Sequence, residues 1–173
     1  MGFSIGIDPD STTVGVALLD GNHRIVHTEV VTPADPLAPI ERRVESLCNT
    51  LVDAAMRFSG HACGPILALN VETMHYLDRG RSAEALMHLS VVAGAAAGAF
   101  GAMCSVEPRL LSAAQWTRGL PKNVRHNRLL AHYGFDPMKL DEKEARKQMA
   151  AELGIEYRNL SHVLDAIDLA RQL

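Results

Sequence analysis

Cysteine is scarce in this chain, and its arrangement excludes two classes at once. The three residues, Cys48, Cys63 and Cys104, are odd in number and lack the paired spacing of a zinc site. They read as reduced, partly buried thiols rather than a disulfide framework. The N-terminus has no basic region followed by a long apolar stretch, so no signal peptide and a cytoplasmic location are expected. Internal repeats and low-complexity tracts are missing, which excludes solenoids and disordered linkers. Tryptophan occurs once, as Trp116, and reads as a core anchor rather than a base-stacking platform.

Acid is missing too, but locally. The chain carries a net charge of −3, which alone argues against a nucleic-acid partner. Yet no Asp or Glu falls between Pro108 and Phe135, where Arg109, Arg118, Lys122, Arg125, Arg128, His126 and His132 all stand. A basic face on an acidic chain suits a phosphate-binding surface beside a carboxylate site. A solvated loop and helix is the plainer alternative.

The 173 residues are 47% hydrophobic and 21% charged, a composition able to close a globular core in one domain spanning 1–173. Leu86 to Cys104 is rich in Ala and Gly and could suggest a membrane span. His88 and Ser90 inside it, Glu84 before it and the weak lipid transfer of Ala and Gly favour a helix packed at close range, and no membrane partner.

Hydrophobic patterning supplies the elements. Phe3–Ile7, Thr13–Leu19 and Arg24–Thr32 read as three strands, with Asp20-Gly21-Asn22 as a turn. Asp35-Pro36 resembles an N-cap and first-turn proline. Leu37, Ile40, Val44, Leu47, Leu51, Ala54 and Phe58 then step by three and four along one helix. Gly60 to Pro65 is a loop, and Ile66–Val71 a buried central strand. Ser82 caps the Ala/Gly helix to about Met103, and Ser105–Leu110 is a fifth strand. Helices follow over Ser112–Trp116, Asn123–Tyr133 and Asp141–Leu153, with Gly154 as a stop, and the last begins near Ser161. Met74, Met87 and Met103 read as packing residues.

Four side chains stand out against that frame. Asp8 closes the first apolar run, and Glu72 closes the fourth. His162 and Asp165 lie three apart on the last helix, about 60° from one another. A charge at the tip of a buried strand carries a desolvation penalty unless a partner offsets it. For three carboxylates and an imidazole, a divalent cation held by hard oxygen ligands is the most effective partner. Each residue also has an ordinary explanation. Asp8 before Pro9 suits a turn, Glu72 could pair with Arg79 or Arg81, His162 could be a helix-start histidine, and Asp168 a neighbour or a surface acid.

Gly6-Ile7-Asp8-Pro9, Val71-Glu72 before an Ala/Gly-rich helix, and His162-Val163-Leu164-Asp165-Ala166 in a C-terminal helix together resemble the RuvC-type Holliday junction resolvases. The likeness spans Phe3 to Leu169. It implies a ribonuclease H-like α/β fold, a five-stranded mixed sheet flanked by helices, matching the element order above. It also implies a homodimeric, metal-dependent endonuclease acting on four-way or branched DNA. By the resemblance, Asp8, Glu72 and Asp165 match the acidic ligands and His162 the fourth position. Two Mg²⁺ ions would be held, with Mn²⁺ able to substitute. Lys122 matches a phosphate-contacting lysine, while Arg118, Arg125, Arg128, Arg81 and Tyr76 are candidates for DNA contact. Asp10 stands where the family usually has Gly, and the sequence between the motifs is divergent, as in a phage-like member. A different ribonuclease H-like substrate, a nucleotide-binding protein of the actin and sugar-kinase type, and a branched-DNA binding module are the competing readings.

Overall fold

In the computed structural model, described over residues 2–73 and 82–172, one sheet carries the chain. Its strands are β1 (Phe3–Pro9), β2 (Val14–Asp20), β3 (Ile25–Val31), β4 (Ile66–Thr73) and β5 (Pro108–Ser112). They lie in the order β3-β2-β1-β4-β5. The first three form an antiparallel meander, whereas β4 and β5 run parallel to β1. Parallel neighbours require long crossovers. Helices α1 (Ile40–His61) and α2 (Ala83–Cys104) lie in those connections.

Side chains alternate across a strand, so residue parity assigns the two faces. Ile5 and Ile7 of β1, Val16 and Leu18 of β2, and Leu69 and Val71 of β4 pack with Leu47, Leu51 and Phe58 of α1 and Ala96 and Phe100 of α2. The other face carries Ala17 and Leu19, which pack with Leu164 and Ile167 of α6 (Leu160–Ala170). Behind α6 stand α4 (Lys122–His132) and α5 (Glu142–Glu152), contributing Leu130 and Met149. The short α3 (Ala113–Thr117) begins at Ser112, whose side chain and backbone complete a capping box with Gln115.

Helix α6 lies very close to the sheet because glycines make room. A Cβ on Gly6 would stand 2.0 Å from the Ala166 carbonyl oxygen, and one on Gly15 would stand 2.4 Å from that of His162. Asn70 fixes the far end, its Nδ2 donating to the carbonyls of Leu169 (2.9 Å) and Gln172 (2.7 Å). Close approach was expected of the Ala/Gly-rich helix; for α6 it is made by two sheet glycines, Gly6 and Gly15. In α2 Ala93, Ala96 and Ala97 face the core, while Gly94 and Gly98 face outward.

Several boundaries differ from the sequence reading. Helix α1 starts at Ile40 rather than after Asp35, whose carboxylate instead accepts from the Leu37 N–H (2.9 Å) in a local turn. Ala38 precedes Pro39, and a residue before proline is steered away from the helical region. The helix also runs on to His61, through the first two residues of the expected loop. Strand β5 starts three residues late because Ser105 adopts φ 52° and caps α2. Met87 and Met103, expected to pack, are 58% and 44% exposed. Trp116, 4% exposed, is the anchor it was expected to be. Among the described residues, α2 alone has the length and hydropathy of a membrane span, yet its alanine face packs into the core.

Candidate active site

Strand parity brings the first two acids together. Asp8 and Glu72 follow Ile7 and Val71, which are register partners between β1 and β4. Both therefore point to the α6 face. The Asp8 carboxylate is nearly covered, at 8% exposure. Burial raises the pKa of Glu72, and the adjoining Asp8 charge and a hydrogen bond shared with it raise it further, to about 8. The Asp165 charge adds to the same push. The buried indole N–H of Trp116 has no hydrogen-bond partner but lies near Glu72 and favours its ionised form.

Helix α6 delivers the other two residues by different contacts. His162 Nδ1 lies 2.8 Å from Asp8 Oδ2. That hydrogen bond raises the imidazole pKa against the opposing effect of burial, and the charges of Asp8 and Asp10 act in the same direction. Asp10 itself closes the β1–β2 turn through its backbone N–H, which donates to the Thr13 carbonyl (2.8 Å), while its carboxylate accepts from the Ser11 N–H. Asp165 faces elsewhere. Its Oδ1 meets Arg125 Nη2 at 3.1 Å and His126 Nε2 at 3.0 Å, and its Oδ2 pairs with Lys122. Burial opposes ionisation of Asp165, but the hydrogen bonds and charges of His126 and Lys122 outweigh it and hold the pKa at about 2.

Two expectations change as a result. His162 and Asp165 share a helix face without sharing a partner, since one is bonded to Asp8 and the other to three cationic or imidazole groups. Arg125 does not present itself to a strand of DNA from the surface. It is 7% exposed, with Nη1 on Asp168 Oδ2 at 2.7 Å, Nη2 on Asp165, and its guanidinium 4.2 Å from the Trp116 ring centre. Arg118, Lys122 and Arg128 are exposed as expected. Tyr76 and Arg81, with Met74 and Arg79, lie outside the described residues. His126, Trp116 and Asp168 are the partners that sequence reasoning did not assign.

The donor set divides in two when tested against a metal ion. Asp8 and Glu72 fit a hard dication: two carboxylates meet where one must otherwise keep a proton near neutral pH. Asp165 is satisfied by the chain's own groups. Among the described residues no cluster of three His, Cys, Asp or Glu side chains forms a ready ligand set.

A pH experiment reads this division. Between the ordinary glutamate value of 4.5 and about 8, folded Glu72 keeps a proton that the unfolded chain has lost. Stability in chelator is therefore expected to fall as pH rises through that window. The raised pKa of His162 adds loss of the same sign as pH passes its folded value. Asp165 acts oppositely, contributing stability above 3.8 that is lost as pH drops toward about 2. Urea melts across pH check this, and millimolar Mg²⁺ or Mn²⁺ should flatten the alkaline decline by replacing the proton. Flat stability from pH 5 to 8 without metal would contradict the pairing.

No protein-family model and no curated protein matches the sequence. Solved structures do match. A Thermus thermophilus RuvC in complex with a Holliday junction substrate superposes with a TM-score of 0.57 at 21% identity, over 98% of this chain and 90% of that one. A second Thermus thermophilus RuvC structure gives 0.53 at 23% identity, over 97% and 90%. The fold is shared with RuvC. The RuvC likeness covers the mixed five-stranded sheet and its flanking helices, in agreement with the ribonuclease H-like architecture expected from the element order. Both neighbours come from Thermus thermophilus, so they support the coarser RuvC likeness and add nothing for a phage-like branch.

Proposed function

We propose that this chain is a structure-selective endonuclease that hydrolyses phosphodiester bonds in four-way or branched DNA. One observation carries the reading: on a RuvC-like fold, Asp8 and Glu72 stand side by side at adjoining strand ends, and α6 sets His162 on Asp8 and the Asp165 charge near enough to press on Glu72. Asp8 and Glu72 would hold the first Mg²⁺ or Mn²⁺. Asp165 would complete a two-ion site once Lys122 releases it, with His162 either a ligand to Mn²⁺ there or the proton carrier beside it. Such ions would supply Lewis acidity, for activating a water and for stabilising the departing 3′ oxygen.

The chain's own residues supply the remainder. As proton carrier, His162 would hold and pass its proton at Nδ1, where the hydrogen bond to Asp8 raises the imidazole pKa. Lys122 is half exposed and already reaches into the acid cluster, so its ammonium can exchange Asp165 for a phosphoryl oxygen and neutralise charge there. Arg125, tied to both Asp165 and Asp168, fixes the rotamers of the α6 carboxylates. Arg118 and Arg128 extend a cationic surface that would track flanking phosphates without reading sequence.

Cutting two opposed strands of a symmetric junction calls for two sites related by a two-fold axis. The outward face of α2 would form part of that homodimer, with Met87, Val91, Gly94 and Gly98 exposed on one flat stripe. The deciding assay offers the protein a four-way junction, a linear duplex and an RNA–DNA hybrid, each with Mg²⁺, Mn²⁺ or chelator. Paired nicks in the junction alone, abolished by chelator, are expected. Equal attack on the hybrid would remove the junction preference and keep the nuclease, and inertness on all three substrates would remove both.

A further inference from the structure

Beside Arg125, on α3, α4 and the end of α6, lies a cleft of about 350 Å³ with a different chemistry from the acid site. Trp116, Arg118, Arg125, Arg128, Asp168 and Arg171 line it. Four guanidiniums thus face one carboxylate, and that carboxylate is already paired with Arg125. Among the described residues Arg118, Arg128 and Arg171 take part in no ion pair. Arg125 is buried, its two Nη groups are occupied by Asp165 and Asp168, and its Nε–H has no hydrogen-bond partner. A buried donor left unpaired in a cationic cleft is a demand for an acceptor.

Planar guanidinium forks match phosphate oxygens in geometry as well as charge. The cleft has room for more than a free phosphate, because small-ligand sites begin at roughly 300 Å³. It is also continuous with the acid site, since a single guanidinium touches Asp165 and lines the cleft. Trp116 is too covered to stack on a base, so the cleft offers contacts to backbone and none to base identity. We infer that it is a phosphate subsite holding a backbone phosphate of a DNA strand beside the one at the acid pair. Its place on the cut strand rests on the proposed function; its anion binding does not.

Trp116 is the sole tryptophan and carries Arg125 on its face, so intrinsic fluorescence reports on the cleft directly. The protein is titrated in chelator with a short single-stranded DNA oligonucleotide, and separately with inorganic phosphate, at several salt concentrations. The oligonucleotide is expected to change the emission saturably. The double variant Arg128→Gln/Arg171→Gln should weaken its binding at least about tenfold and lower the salt slope by about one to two. Arg118→Gln is the second variant should the double one melt early, and Arg42→Gln on α1 is the control expected to match wild type. Oligonucleotide binding within twofold of wild type, with an unchanged slope, overturns the subsite. Inorganic phosphate binding as tightly as the oligonucleotide, and lost in the same variants, overturns the strand assignment in favour of a small-anion pocket. Should wild type bind the oligonucleotide as expected but cut no junction, the nuclease reading fails and the subsite stands.

Discussion

Asp8→Asn is expected to slow junction cutting by more than about a hundredfold, because even the outer partners of metal ligands cost about 10–100-fold when removed. Junction affinity in chelator should hardly change, since it comes from cationic contacts with phosphates elsewhere on the surface. Asparagine keeps an oxygen acceptor for His162 and removes the charge that presses on Glu72. The variant should accordingly melt at or above the wild-type temperature near pH 8 without metal, the trade between stability and activity common at catalytic carboxylates. Gel assays of nicking, anisotropy with a labelled junction and thermal melts separate the three effects. Cutting at an undiminished rate would dismiss Asp8 from the chemistry.

Gly6→Ala should be the most disruptive single methyl in the molecule. The added carbon would fall 2.0 Å from the Ala166 carbonyl oxygen and 2.4 Å from the Ala170 nitrogen, both backbone atoms of α6 that cannot rotate aside. A loss of about 3 kcal/mol is expected, at the upper end for overpacked cores, which lowers the melting temperature by roughly 6–12 °C for a chain of this size. Cutting should fall with it, because lifting α6 moves His162 and Asp165 away from the strand ends. Gly60→Ala in α1, where nothing lies within 4 Å of the new carbon, serves as the matched control and should be neutral or slightly stabilising. A Gly6→Ala protein as stable as that control would show that α6 does not rest on the sheet at this point.

The strand-end acids were legible because a strand repeats every two residues, so the apolar run ahead of each carboxylate fixes its face. The last helix was legible from the spacing of His162 and Asp165, three residues apart and so on one helix face. The inward role of Arg125 and His126 was not, although a signal exists. Each stands four residues before an apolar one, Leu129 and Leu130, and residues four apart share a helix face. Both leucines are buried, and Arg125 and His126 are buried with them. The stretch without acids looked like an outward basic surface because its counter-charges, Asp165 and Asp168, lie some forty residues further on. Arg171 joined the cleft unseen for the same reason: a topological neighbour leaves no local pattern. The start of α1 failed on a local conflict, where one proline suggested a first turn and the next, Pro39, forbade it.

The late position of α6 in the chain has a consequence for biogenesis. During synthesis Asp8 and Glu72 emerge before α6, and the bare backbone at Gly6 and Gly15 waits uncovered until β5, α3, α4 and α5 have all been made. Until α6 settles on those two glycines, the nascent protein has neither His162 nor Asp165 beside its strand-end acids, so the proposed chemistry would switch on only once that helix has docked.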